Sequence, residues 1–213
     1  MKLADLSVTE FVWELASESP APGGGSVAAL CAGLSAALCA MVARLTSGKE
    51  KYRADWQAMD HLIEQVGPLM KRFIELMDED TRAYHLVVDA LRMPRETAEE
   101  QVARKREIEA ASRKAAEVPL EMLKYAQKLA GFVKEAVAKG NVNCITDAGT
   151  AALLVRTAAY AAAYNVRINL SGITDSVFLE KCRTEVRRII FSIDDTIDAV
   201  QQHVDSFLKM AEG

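Results

Sequence analysis

Two stretches of this chain, residues 28–43 and 151–163, are so rich in alanine on every side that neither reads as an ordinary surface helix. A helix lying on a globular surface carries a polar stripe toward water, and these two offer almost none. Their narrow cross-section lets neighbouring backbones approach closely, so they must sit at the centre of a bundle or lie against a second copy of the chain. An exposed patch of that kind is unusual on a monomer, which makes a homodimer the preferred expectation. The competing arrangement is a bundle whose outer helices cover both.

The remainder repeats apolar residues in alternating steps of three and four. Ser7 and Glu10 form a capping box opening a helix to about Ser17, with Phe11, Val12 and Leu15 on one face. From about Ala54 the positions Met59, Leu62, Val66, Leu69, Phe73, Leu76, Met77, Tyr84, Val87 and Leu91 predict a long amphipathic helix with a kink at Gly67-Pro68. Pro94 breaks the pattern, a second long helix is expected over residues 97–128, and Gly131 and Gly140 punctuate the segment after it. Thr146-Asp147 starts an alanine-rich helix through about Tyr164, and Thr174-Asp175 starts the last, striped by Phe178, Cys182, Val186, Ile189, Ile193, Ile197, Val200 and Val204. No strand-like alternation competes. The expected fold is all-α: a single-domain bundle of long antiparallel helices over residues 1–213, with the alanine-rich helices central.

Several function classes fall away on composition. A net charge of −4 and a pI near 5.5 give no basic footprint for nucleic acid. Cys31, Cys39, Cys144 and Cys182 lack any CxxC pairing, which points to a reducing cytosol and no structural metal. His61, His85 and His203 share no metal-like spacing, and neither a nucleotide-type phosphate loop nor a Ser–His–Asp pattern is present. Residues 27–45 approach the length of a membrane span, but alanine, Gly33 and Ser35 insert weakly, so no membrane partner is expected. The first residues lack the apolar core of a signal peptide. What remains is chemistry by carboxylates, amides and backbone dipoles, without a cofactor.

Three places carry such groups. In Pro20-Ala21-Pro22-Gly23-Gly24-Gly25-Ser26 the glycines permit close approach to the main chain and Ser26 is a favoured helix N-cap. Free N–H groups at that helix start form a candidate anion or carbonyl site, although a mobile linker explains the composition equally well. Asp80 fills a gap in the apolar stripe between Met77 and Tyr84, while Asp78 and Glu79 fall on other, solvated faces. A carboxylate on an apolar face is paired, hydrogen-bonded or functional, and a raised pKa would suit proton transfer near neutrality. Asn141, Asn143, Thr146 and Asp147 gather amides and a carboxylate at the next helix start, where ordinary capping is the competing explanation. Asn165 and Asn169 lie at the other end of that helix, closing it or meeting a second subunit.

Ser19-Pro20-Ala21-Pro22-Gly23-Gly24-Gly25-Ser26, the alanine-rich helix and then Leu45-Thr46-Ser47-Gly48-Lys49-Glu50-Lys51-Tyr52 resemble the opening of the formiminotetrahydrofolate cyclodeaminase family, which includes stand-alone bacterial methenyltetrahydrofolate cyclohydrolases. The likeness continues in order through Asp78-Glu79-Asp80, Leu91-Arg92-Met93-Pro94, Ala115-Ala116-Glu117-Val118-Pro119-Leu120, Asn141-Val142-Asn143 with Thr146-Asp147, and Asn165-Val166-Arg167-Ile168-Asn169-Leu170. The resemblance implies an all-helical dimer with a folate cleft near the subunit interface. It implies that Gly23, Gly24, Gly25 and Ser26 line the pocket with Asn165, and that Lys49 meets the glutamate tail or another anionic group. Asn141, Asn143 and Asp147 would hold the pterin edge. Asp80 is the expected acid/base, with Asp147 as orienter or second acid/base. The expected activity is conversion of 5-formiminotetrahydrofolate to 5,10-methenyltetrahydrofolate and ammonia, hydrolysis of the methenyl compound to 10-formyltetrahydrofolate, or both. The alternative is a non-catalytic helical dimer that binds folate or scaffolds a partner.

Overall fold

The computed structural model describes residues 2–212, and nearly all of them are helical. After a 3-10 turn at Leu3–Asp5 come α1 (Val8–Leu15), α2 (Gly24–Arg44), α3 (Trp56–Arg92), α4 (Ala98–Lys139), α5 (Ile145–Asn169) and α6 (Ser176–Glu212). Each boundary has a local cause. Ser7 and Glu10 close the expected capping box on α1, and Thr97 with Glu100 builds a second one on α4. Asp175 opens α6 by accepting hydrogen bonds from the N–H groups of Val177 and Phe178 at 3.0 and 3.1 Å.

Helices α2, α3, α4 and α5 pack in a closed ring, each against the next, and α6 lies in the groove between α4 and α5. The register of α2 on α5 is antiparallel: Gly24 faces Asn165, Ser35 donates to the Ala151 carbonyl at 2.7 Å, and Asn141 meets Leu45. Both alanine-rich helices are therefore central, as expected. Ala28, Ala29, Ala32, Ala36, Ala158, Ala159 and Ala162 are fully excluded from water, which is what permits this close packing. α2 is also the one helix among the described residues long and apolar enough to cross a bilayer, but 61% of its apolar window is buried inside the bundle. Its outer side is nonetheless bare. Leu34 on α2, Leu45 just beyond its end, and Leu153, Tyr164 and Ile168 on α5 are large apolar residues left exposed.

Several expectations are corrected. α4 runs on to Lys139, through Gly131, because its inner face stays apolar to Val137; Gly140 is the true stop, where a Cβ would overlap the Ala136 carbonyl and Val42. Of the three α1 residues expected on a buried face, only Phe11 is buried. Asp78 and Glu79 are not simply solvated. Asp78 accepts from the Leu3 N–H at 2.7 Å, and Glu79 forms a two-pronged pair with Arg72 at 2.6 and 3.0 Å, which also reaches Glu121 on α4. The Arg72 hydrogen bonds hold the Glu79 carboxyl below its usual range.

Candidate functional site

The glycine-rich turn ends in α2 with Gly23 at the N-cap, in extended conformation and without a side-chain cap. Ser26 is thus not the cap expected of it. It lies one turn further on, fully buried, with its hydroxyl 3.1 Å from the Met77 carbonyl, 3.2 Å from Thr81 Oγ1 and 3.4 Å from Asp80 Oδ2. The missing cap is supplied from across the bundle. Asp80 on α3 stands beside this helix start, its carboxylate accepting from the Ser26 hydroxyl and lowered in pKa by the nearby Ser26 backbone N–H, so the carboxylate sits at the positive end of the α2 dipole.

Space for that carboxylate exists only because residue 25 has no side chain. A Cβ on Gly25 would fall inside the Asp80 carboxylate. Burial pushes the Asp80 carboxyl above its ordinary value of 3.8, and the Ser26 hydroxyl and backbone N–H counter part of that shift. This is the balance that a proton-transfer group requires.

Asp80 opens onto a cleft of about 280 Å³ between the glycine-rich turn, α3, α4 and the end of α5. Pro20, Ala21, Gly23, Gly24 and Gly25 form one wall, Tyr84 and Ala115 another, and Asn165, Ile168 and Asn169 a third. The peptide bond between Ala21 and Pro22 is cis. The two asparagines are held by their amide nitrogens: Asn165 donates to the Ala161 carbonyl, and Asn169 to the carbonyls of Ala115 and Asn165, each at 2.9 Å. Neither Oδ1 accepts a hydrogen bond from another of the described residues. Thr81, Tyr84 and Asn169 were not among the residues expected here. The signal lay in spacing, since Tyr84 and Asn169 are one helical turn from Asp80 and Asn165.

Ser26 is the lever on this balance. In Ser26→Ala the hydroxyl hydrogen bond that favours the charged carboxylate is gone and the desolvation remains, so the Asp80 carboxyl rises further. If ionised Asp80 is the working base, the acid limb of a kcat/KM pH profile moves to higher pH. An unmoved limb separates the titrating group from Asp80.

The second expected cluster lies elsewhere in the chain. Asn141 and Asp147 stand beside the C-terminal end of α2, whose 21 residues separate them from the glycine-rich turn by roughly 30 Å. Asn141 is buried and fully engaged. Its N–H donates to Thr46 Oγ1 at 2.7 Å and its Nδ2 to the Leu45 carbonyl at 3.3 Å, while its Oδ1 accepts from the Tyr52 hydroxyl and the Asn143 N–H, each at 3.1 Å. It is a latch joining the ends of α2 and α4. Asn143 and Lys49 are exposed, and Asp147 is half-buried. Asn141→Ala removes the three part-buried side-chain hydrogen bonds to Leu45, Tyr52 and Asn143 while the backbone bond to Thr46 stays, at a cost of about 1–3 kcal/mol, seen as a lower Tm at roughly 2–4 °C per kcal/mol for a chain of this size. An unchanged Tm removes the latch role.

Residues 7–188 match the family model described as formiminotransferase-cyclodeaminase. The formimidoyltransferase-cyclodeaminase of Rattus norvegicus is 35% identical over 188 residues, which is 88% of this chain but 35% of that protein. The chain thus spans about a third of the length of that relative. The methenyltetrahydrofolate cyclohydrolase of Methylorubrum extorquens is 33% identical over 86% of this chain and 88% of its own. Among solved structures, a formiminotetrahydrofolate cyclodeaminase from Thermotoga maritima superposes with a TM-score of 0.88 at 25% identity, over 97% of this chain and all of its own.

Proposed function

The chain belongs to the formiminotransferase-cyclodeaminase family, and from that premise we propose that it works on the carbon bridging N5 and N10 of tetrahydrofolate in the Asp80 cleft. The observation that carries this reading is a single carboxylate, raised in pKa by burial, fixed at a glycine-walled helix start and open to a cleft.

Both family reactions ask for such a group. In the cyclodeaminase direction N10 attacks the carbon of the protonated formimino group, C=NH2+; a C–N10 bond forms and the C–NH2 bond breaks. Asp80 takes the N10 proton and returns it to the departing nitrogen, leaving ammonia and the methenyl cation. In the cyclohydrolase direction water adds to the same carbon and Asp80 takes one of its protons, passing it to N5 as the C–N5 bond breaks, while the remaining hydroxyl proton is released to solvent as the formyl carbonyl forms. The carboxylate also faces the cationic methenyl group, which it stabilises electrostatically. Gly23, Gly24 and Gly25 admit the flat pterin against the main chain, and the Asn165 and Asn169 oxygens accept from its N–H edge. Ring closure is intramolecular, so holding N5 and N10 in register supplies much of the acceleration.

The exposed apolar residues on α2 and α5 support a homodimer. Leu34 lies at the middle of α2. A two-fold axis there sets the two α2 helices antiparallel and brings the far end of one copy to the cleft of the other. Lys49, Asn143 and Asp147 of the partner subunit would then border the Asp80 cleft, which reunites the two clusters that one protomer keeps apart. The four free thiols, three of them buried, support a reducing, cytosolic setting.

The test is direct. Purified protein is mixed with 5,10-methenyltetrahydrofolate, and separately with the formimino compound, while near-ultraviolet absorbance is followed. Accelerated change over buffer with either compound supports the reading, and none with both defeats it.

A further inference from the structure

A group that both takes and returns a proton needs neighbours that suit its charged and its neutral state. Beside Asp80 that neighbour is Ser26, which is fully buried, so no water serves its hydroxyl. A hydroxyl has one proton to give and two lone pairs to fill. Ser26 Oγ meets three oxygens: the Met77 carbonyl at 3.1 Å, Thr81 Oγ1 at 3.2 Å and Asp80 Oδ2 at 3.4 Å. A carbonyl and an ionised carboxylate only accept, so Thr81 is the one of the three that can donate to Ser26. Were Ser26 to spend its proton on Thr81, both the Met77 carbonyl and the carboxylate would go without it.

Thr81 also departs from the habit of other threonines in this bundle. Thr150, Thr157 and Thr196 each donate to the carbonyl four residues back, at 2.9, 3.0 and 2.8 Å, the common recourse of a hydroxyl inside a helix. For Thr81 that carbonyl belongs to Met77, and it takes the Ser26 hydroxyl instead. The Thr81 hydroxyl is turned toward Ser26, across to another helix.

No charged side chain among the described residues shares this duty. The glycine-rich turn is uncharged, and α2 carries no charge before Arg44 at its far end. α4 and α5 present Ala115, Asn165, Ile168 and Asn169 to the cleft, and Tyr84 is the other titratable group on its wall. On α3 itself Asp78 is held by the Leu3 N–H, while Glu79 gathers with Arg82 and Lys114 around a separate groove.

Resting on the acid/base reading of Asp80, we propose that Thr81 is a positioning residue that acts on it through Ser26. Thr81 donates to Ser26 throughout, and the single Ser26 proton follows the charge. It points to Asp80 Oδ2 while the carboxylate is ionised and swings to the Met77 carbonyl once Asp80 holds a proton. Only the hydroxyl turns. No proton passes along the pair, so the one lifted from N10 or from water stays on Asp80 until it is returned. Each position offers the buried hydroxyl an acceptor, so neither state of Asp80 strands it. Donation from Thr81 also polarises the Ser26 O–H and makes it a better donor to the carboxylate.

Thr81→Val keeps the branched shape and removes the hydroxyl. The Asp80 carboxyl is followed across pH by carbon-13 NMR of the intact protein, its resonance assigned by its absence in Asp80→Asn. The titration midpoint rises in Thr81→Val and returns to its wild-type position in Thr81→Ser. It rises in Ser26→Ala as well, and S26A/T81V titrates where Ser26→Ala alone does, because Thr81 has no other route to the carboxylate. On the acid limb, kcat/KM of Thr81→Val is about threefold below wild type, the size of one net hydrogen bond. A merely structural Thr81 would lower the Tm without moving the midpoint. An unmoved midpoint in Thr81→Val, no return in Thr81→Ser, or shifts that add in the double variant overturn the proposal. Should the valine variant fail to fold, Thr81→Ala removes the same hydroxyl and carries the same expectation. A midpoint that answers to Thr81 in a protein without turnover upholds the hydroxyl pair and defeats the catalytic reading; robust turnover with a midpoint blind to Thr81 does the reverse.

Discussion

Asp80→Asn yields a folded protein whose turnover falls by about 10²–10⁴-fold, the usual contribution of a positioned acid/base group. Asparagine matches the carboxylate in shape and keeps an oxygen for the Ser26 hydroxyl, so the cleft retains its form while losing its titratable carboxyl. The sign of the stability change makes the result diagnostic. Burial raises the Asp80 carboxyl in the folded state above its unfolded value of 3.8. Its contribution to stability is therefore fully present below that value and is lost as pH rises through the folded pKa. Near neutrality the charged form is a burden that asparagine removes. Melting at pH 7 is expected at the wild-type temperature or slightly above, and the difference narrows toward pH 4. A variant that is inactive and melts well below wild type indicates a structural role instead; one that is folded and fully active removes Asp80 from the chemistry.

Gly25→Ala is the second large effect, and it reverses the usual rule. Alanine in place of glycine inside a helix ordinarily stabilises by about 1 kcal/mol. At position 25 the added carbon occupies the space of the Asp80 carboxylate, so either α2 shifts or the carboxylate leaves its place beside the Ser26 N–H. Overpacking of this kind costs about 1–3 kcal/mol, and turnover falls nearly as far as in Asp80→Asn because the same group is displaced. Gly24→Ala is the matched control for stability. Its Cβ would meet Asn165 Nδ2 at 3.5 Å, an ordinary contact, so its Tm is expected to hold. Equal melting and equal turnover in Gly25→Ala and wild type would show that the close approach is not required.

Much of this was legible in the chain. The alanine content of α2 and α5 announced two helices with no outward polar face, and the caps at Ser7, Thr97 and Asp175 mark real starts. The gap at position 80 in the α3 stripe is where the carboxylate turns inward. Two things were hidden. Periodicity ranks residues around one helix but does not say which end of it meets which neighbour, so the Asn141 to Asp147 cluster was grouped with Asp80 although the antiparallel register of α2 and α5 sets it at the other end. Nor does local sequence reveal a cap supplied from another helix. Ser26 fits the N-cap pattern, yet Asp80 does that work from α3, and only the missing Cβ of Gly25 makes room for it.

The most direct test is a crystal structure of the protein with 5-formyltetrahydrofolate, a stable mimic of the one-carbon substrates. The expected result is the pterin lying along the glycine-rich turn, with the formyl-bearing N5 and N10 edge within about 3 Å of the Asp80 carboxylate, the reach proton transfer demands. A ligand bound elsewhere, or bound in this cleft with Asp80 out of hydrogen-bonding range of that edge, contradicts the account.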